Sequence, residues 1–379
     1  MEKASDNWDL IIEDELYIFE SIINTGFLRK LVRNIFFAVN ILFAVALLAT
    51  YLVQEVNPST FWIPSVLGLV YPYLLIANVL FVGFWLIFKQ KYMLLSVVCI
   101  LAGMHINTSY FQLFGRRTSE NVGIKVLSYN VQNFYSYLGK KKNRGAIIDY
   151  IAAQKADIIC LQETKLQKEG DLNPLKLKMM FPGIKHCQLA HQSKWAGPVT
   201  FSSYPIVSMG EIRFEDTKNM VIFSNLKIGK DTVRVYNCHL QSYGINTSAY
   251  SVIDTLGFEP EKLKEMRKIG SKLKWGNIYR SKQVMKLNDH IKKCPYPVIV
   301  CGDFNDTPIS FTYGKMSSQL KDSFVGSGRG VSNTYRGKLP QNRIDYIFHS
   351  NVFKAYNYKR HSVGYSDHYP ISTLLVRKK

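Results

Sequence analysis

YPVIVCGDFND, residues 296–306, decides how the larger part of this chain folds. Tyr296 to Phe304 is a short apolar run with β-branched residues and reads as a strand. It finishes on Asp303, followed two residues later by Asn305. A carboxylate or amide at the end of a buried strand is costly unless it binds a partner. Working outward, the same construction recurs. IKVLSYNV (Ile124 to Val131) carries Asn130 near its end, ADIICLQE (Ala156 to Glu163) ends on Glu163, and TVRVYNCHL (Thr232 to Leu240) carries His239. RIDYIFHS (Arg343 to Ser350) holds Asp345, and SDHYP near the end of the chain holds Asp367 and His368. PVTFSS (Pro198 to Ser203) and VIFSNLKI (Val221 to Ile228) add strands, while Arg144 to Gln154 and Pro260 to Lys293 have helical spacing. Many strands with few helices between them imply an α/β or α+β sandwich with helices packed on sheets.

Each polar residue has an ordinary explanation when taken alone. An Asn after a strand serves in turns, a Glu before Thr caps helices, and a His in an apolar run is usually a satisfied core residue. Their joint occurrence at strand ends across the whole domain points to one site. Oxygen ligands without thiolates suit Mg²⁺ or Mn²⁺.

Charge and cysteine usage narrow the chemistry. Residues 122–379 hold 40 Lys and Arg against 19 Asp and Glu, an excess of 21. Scattered lysines commonly serve only solubility. Here the excess persists although several acids are gathered in one site, so an anionic substrate is expected. The six cysteines form no CxxC pair and no zinc spacing. Cys160, Cys238 and Cys301 sit in apolar runs and read as core thiols.

The first third of the chain is of another kind. Asn34 to Val53 is a run of 20 residues without a formal charge, long enough to cross a bilayer as a helix. Trp62 to Phe88 is a second such run, and Met93 to Met104 a shorter third. An acidic leader before the first run argues against a cleaved signal peptide. Arg29, Lys30, Arg33, Lys89 and Lys91 flank the runs, while Gln54 to Phe61 has no basic residue. The positive-inside bias therefore places the N-terminus and the second loop in the cytoplasm. Three crossings would put the C-terminal domain on the extracytoplasmic face, with Arg116 and Arg117 weighing slightly against this. Two crossings would leave it in the cytoplasm. The expected layout is a cytoplasmic segment over 1–33, a transmembrane anchor of two or three helices over 34–113, a linker over 114–122 and a catalytic domain over 123–379.

In order, SYNV, LQET, NCHLQS, GDFND, RIDYIF and SDHYP resemble the motifs of the endonuclease/exonuclease/phosphatase superfamily, which has the deoxyribonuclease I-like fold. GPVTFSSYPI (Gly197 to Ile206) is similar to the family's strand and turn between the glutamate and the histidine. Hydrophobic spans ahead of such a domain are similar to those of membrane-attached bacterial members. The resemblance implies a four-layered α/β sandwich with the active site at one edge, preceded by an all-α transmembrane anchor. It also implies roles. Glu163 would be the principal metal ligand, with Asn130 supporting it and Asp367 facing the metal. Asp303 would orient or deprotonate the attacking water, and Asn305 would hold a phosphate oxygen. His368, oriented by Asp345, and His239 would donate to the phosphoryl group. Two departures stand out. Gln132 occupies a position where apurinic endonucleases resemble one another in having Asp, and His239 stands where they carry Tyr. No Asp or Glu lies between Pro182 and Gly210 to serve as a carboxylate partner for His239.

The expected activity is divalent-metal-dependent hydrolysis of a phosphoester. Lys140 to Lys142 and the lysines at 262, 264, 268, 272 and 274 suit nucleic acid, whereas the anchor suits a phospholipid or sphingolipid headgroup. The alternative is a catalytically silent phosphate- or membrane-binding module on the same fold.

Overall fold

The computed structural model describes residues 26–113, 118–119, 122–134, 144–167, 172–190, 197–245, 260–337 and 342–378. Lys140 to Lys142, Arg116, Arg117 and the acidic leader lie outside them. Two compact units emerge, one of residues 1–49 and 71–103, the other of residues 50–70 and 104–379.

The first unit is helical. Helices α1 (Gly26–Tyr51) and α2 (Ile63–Phe88) are long and apolar enough to cross a membrane. α3 (Gln90–Ala102) is shorter, and α4 (Met104–Tyr110), next in the chain, belongs to the second unit. A buried polar cluster joins the three helices of this unit. Asn40 of α1 donates to Ser96 Oγ of α3 at 2.7 Å, Ser96 donates to Asn78 Oδ1 of α2 at 2.9 Å, and Trp85 Nε1 donates to Asn40 Oδ1 at 3.0 Å.

The second unit is a sandwich of two six-stranded sheets. The first sheet runs β13-β14-β2-β3-β5-β4, with β2 (Ile124–Asn130), β3 (Ile158–Thr164), β4 (His186–Leu189), β5 (Gly197–Ser202), β13 (Phe353–Arg360) and β14 (Ile371–Arg377). The second runs β10-β12-β9-β8-β7-β6, with β6 (Ile206–Arg213), β7 (Met220–Ile228), β8 (Asp231–His239), β9 (Val298–Asp303), β10 (Lys321–Asp322) and β12 (Asp345–His349). A small pair, β1 (Phe111–Gln112) with β11 (Gly330–Val331), lies apart from both.

Period-two alternation builds the four layers. Val126, Ile158 and Cys160 of the first sheet meet Val233, Val235, Ile299, Cys301 and Ile347 of the second in one buried cluster. The opposite faces of the same strands are covered by helices. Leu127, Tyr129, Ile159 and Leu161 pack with Ile147, Ile148 and Ile151 of α5 (Arg144–Ala153) and Leu177 of α6 (Pro174–Met180). Tyr236, Cys238, Val298 and Val300 pack with Val284, Leu287 and Ile291 of α7 (Pro260–Lys292). Cys160, Cys238 and Cys301 are buried free thiols, as their apolar surroundings imply.

The seven strands read from the sequence all form, within a residue or two of their expected ends. Four further strands of the two large sheets, β4, β6, β13 and β14, are not among them.

Candidate active site

The alternation that fills the space between the sheets also places the chemistry. Ile299 and Cys301 face the inter-sheet core, so Asp303, two residues further, closes that face at the end of β9. β8 and β9 are parallel with His239 beside Asp303, and antiparallel β12 sets Asp345 against Asp303 from the other side. Across the sandwich, Asn130 ends β2 and Glu163 lies near the end of β3, which runs parallel to it. One edge of the sandwich therefore collects residues from both sheets.

Two local backbone features shape this edge. Gly302 has φ +137°, and a Cβ there would lie 2.0 Å from the Cys238 carbonyl oxygen, so only glycine lets β9 approach β8 at this point. Glu163 and Asn305 are left-handed at φ +50° and +53°. Non-glycine residues in that region store about 1–3 kcal/mol of strain and cluster at functional sites. The turn also lets Asn305 donate its backbone N–H to Asp303 Oδ1 at 2.8 Å, while its side chain donates to the Leu240 carbonyl at 3.0 Å.

Asp303 is the hub. Asn130 Nδ2 donates to Asp303 Oδ2 and to Glu163 Oε1, both at 3.0 Å. His368 Nε2 is 3.6 Å from Asp303 Oδ2, and its Nδ1 is 2.9 Å from Asp345 Oδ2. His239 Nε2 lies 3.5 Å from Glu163 Oε1. That glutamate, outside the segment Pro182 to Gly210, is the carboxylate beside His239. Two groups of ligand atoms close enough to share an ion result, Glu163 with His239 and Asp303, and Asp303 with Asp345 and His368.

Burial sets the electrostatics. It pushes the Asp303 carboxyl up to about 6, helped by nearby Asp345 and opposed by His368 and His239. For His368 burial acts to lower the pKa, but the carboxylates of Asp345 and Asp303 outweigh it and hold the imidazole well above its usual value. Burial also raises Asp367; His368 opposes the shift and Glu163 adds to it. Glu163 and Asp367 therefore repel one another at the mouth of the site. Oxygen donors of this kind, without a thiolate, fit a hard divalent cation.

Three supporting residues carry no catalytic signal in the sequence. Gln132, in sequence a lost charge, donates from Nε2 to Asp367 Oδ2 at 3.2 Å, and its backbone N–H caps Asn130 Oδ1 at 3.1 Å. Buried Ser366 donates to the Asn130 carbonyl at 2.8 Å and accepts from the His368 N–H at 3.3 Å. Thr334 Oγ1 accepts from the Asp345 N–H at 3.0 Å. Ser366 is itself the first residue of the SDHYP motif, the one hint that the sequence offers. Beneath the site, Gln162 donates to Asn237 Oδ1 at 2.8 Å, and Asn237 donates to the Val199 carbonyl at 2.9 Å, tying the two sheets together.

This fold, with acidic and imidazole groups gathered at one sandwich edge, defines a phosphoester-hydrolase class. The chain belongs to the Endonuclease/Exonuclease/phosphatase family, whose family model matches residues 127–368. Residues 33–110 match a domain of unknown function, DUF8431. A search of curated proteins returned no match. Among solved structures the chain is similar to an endonuclease/exonuclease/phosphatase from Bacteroides vulgatus, at 16% identity and TM-score 0.46, covering 68% of this chain and 100% of that one. It is also similar to one from Beutenbergia cavernae DSM 12333 (17%, TM-score 0.46, 68% and 72% covered). A third is the human Nocturnin catalytic domain with bound sulfate anion (16%, TM-score 0.46, 68% and 95% covered).

Proposed function

We propose that this chain is a membrane-anchored phosphoester hydrolase dependent on Mg²⁺, for which Mn²⁺ substitutes, in which Asp303 activates the attacking water. The observation that carries the reading is the convergence on Asp303 of Asn130, His368 and, through Glu163, His239. A carboxylate raised to about 6 by burial is poised to accept a proton near neutral pH. His368, kept protonated by Asp345, donates to a phosphoryl oxygen, as do His239 and Asn305. Glu163 and Asp367, with Asn130 beside them, would hold the cation, which supplies positive charge against the developing negative oxygens.

The substrate reading is a phosphodiester of nucleic acid or of a phospholipid or sphingolipid headgroup. Full-length protein is assayed with and without Mg²⁺ against plasmid DNA, sphingomyelin and a bis-aryl phosphodiester. Metal-dependent turnover that Asp303→Ala abolishes is expected for at least one of them. No turnover above that variant on any substrate would instead favour the catalytically silent module. Cleavage of lipid alone would remove the nuclease option.

For the anchor, the proposal is three crossings with the catalytic unit extracytoplasmic. The Asn40–Asn78–Ser96 cluster supports it, because it sets α3 beside the middles of α1 and α2, where hydrocarbon forces polar groups to pair with one another. Chain logic adds to this. The connection between α1 and α2 packs within the catalytic unit, where Gln54 Nε2 donates to the Pro308 carbonyl at 2.8 Å and Ser59 Oγ lies 2.7 Å from Ser281 Oγ. The chain after α3 packs there too, with Arg343 donating to the Ser109 carbonyl at 2.6 Å. Both connections then share one side of the bilayer, which requires α2 and the third segment each to cross. Gln54 to Phe61 has no Lys or Arg, so that side is the outer one.

A further inference from the structure

α7 is too long for the sheet it covers. Its 33 residues extend about 50 Å, whereas the six residues of β9 beside it extend about 20 Å. The helix links parallel β8 to β9 and so runs back against their direction. Its C-terminal end packs Ile291 against Val298 at the start of β9. Arg280 donates to the Gln241 carbonyl at 2.7 Å, just past the end of β8. The helix is therefore level with the catalytic edge at Arg280, and Pro260 to Trp275 projects beyond it.

The projecting half carries an apolar stripe in line with the buried face of the packed half, a face that is polar at Asn277 and Arg280. Leu263, Met266, Gly270 and Leu273 continue, at spacings of three and four, into Asn277, Arg280, Val284, Leu287 and Ile291. The residues from Asn277 on are buried in the catalytic unit, whereas none between Pro260 and Trp275 is. Leu263 is 40% exposed and Met266 55%. Lys264, Arg267, Lys268 and Lys274 flank the stripe. Lys274 Nζ lies 6.0 Å from the ring of Trp62, the residue before the first residue of α2. The projecting half thus lies next to the point where the chain enters a membrane-length helix.

We infer that Pro260 to Trp275 is an interfacial helix, seated with Leu263 and Met266 in the headgroup boundary of an anionic bilayer surface and its basic residues against lipid phosphates. The geometry is that of a surface-lying amphipathic helix, basic on one side and apolar on the other. Each lysine near such a surface contributes attraction that salt weakens. The catalytic edge, which the helix overhangs, is thereby held at headgroup height, where phosphoesters are concentrated. This seating rests on the membrane reading proposed above and not on the chemistry at Asp303.

The test uses the full chain in vesicles of phosphatidylcholine with phosphatidylglycerol. Cys187 and Cys294 are replaced by Ser, and an environment-sensitive fluorophore is attached at Met266→Cys or, on the opposite side of the helix, at Lys268→Cys. The expected result is quenching of the probe at 266 by nitroxide lipids and protection from iodide, with the reverse at 268. Equal iodide quenching at both positions would overturn the seating, as would protection of both, which means a protein cover. Mg²⁺-dependent turnover of the bis-aryl phosphodiester is measured in the same vesicles. Turnover with a water-exposed probe at 266 overturns the seating alone. A shielded probe at 266 without turnover overturns the hydrolase reading alone.

Discussion

Asp345 and His368, 23 residues apart, face each other across 2.9 Å between Oδ2 and Nδ1 with both side chains almost wholly buried. The Asp345 backbone is fixed by Thr334, and His368 by Ser366. The imidazole is left one direction in which to act, through Nε2 towards Asp303.

Removing the charge of that pair has two consequences. Asp345→Asn lowers the His368 pKa, read by ¹⁵N NMR titration, and lowers turnover by about 10²-fold through loss of the oriented donor. It also costs about 3–5 kcal/mol, because breaking a buried pair strands the partner. In the folded chain His368 is raised well above the ordinary histidine value of 6.5. The stabilisation is therefore full below pH 6.5 and is lost as pH rises through the folded value. The gap between wild type and variant in urea unfolding narrows on the alkaline side.

Asp303 has the opposite sense. Its carboxyl is raised from 3.8 to about 6, so its protonated form is favoured in the folded, metal-free chain. The associated stability is present below pH 3.8 and lost as pH rises through about 6. Asp303→Asn should therefore stabilise the metal-free protein near pH 8, by about 1–3 kcal/mol in thermal or urea unfolding, while abolishing turnover. A destabilised, inactive variant would contradict this.

Metal affinity follows the same titration. Binding of Mn²⁺, followed by calorimetry in buffers of different ionisation enthalpy, should weaken as pH falls below about 6 and release protons there. Glu163→Gln should weaken it about tenfold or more at every pH.

Gly302→Ala tests the backbone that carries Asp303. The added Cβ would meet the Cys238 carbonyl at 2.0 Å in a backbone conformation that only glycine adopts easily. We expect a loss of about 3 kcal/mol or more in unfolding free energy, with turnover reduced even where the chain still folds.

Much of this was legible in the sequence, for a physical reason. β2, β3, β8, β9 and β12 are largely buried on both faces, so they read as runs rich in apolar and β-branched residues, and a polar residue at one end of each stands out. β6 and β13 are edge strands. Each turns one face to solvent through residues such as Met209 and Lys354, and FKAYNYKR then reads as polar chain. β4, at another edge, has only four residues. The carboxylate beside His239 does not come from the segment before it but from the opposite sheet, at Glu163, a pairing that only the sandwich creates. Gln132 looked like a missing charge, yet its amide holds Asp367. The left-handed turns at Glu163 and Asn305 are invisible to pattern reading, because neither residue is a glycine.

The most direct measurement is steady-state hydrolysis of a bis-aryl phosphodiester by the full-length protein in vesicles, with Mg²⁺, after chelation, and after Mg²⁺ is restored. Chelation should abolish turnover, Mg²⁺ should restore it, and folded Asp303→Ala should show none in any condition. Turnover that survives chelation, or that Asp303→Ala retains, would contradict the assignment of Asp303 as the centre of a metal-dependent hydrolase.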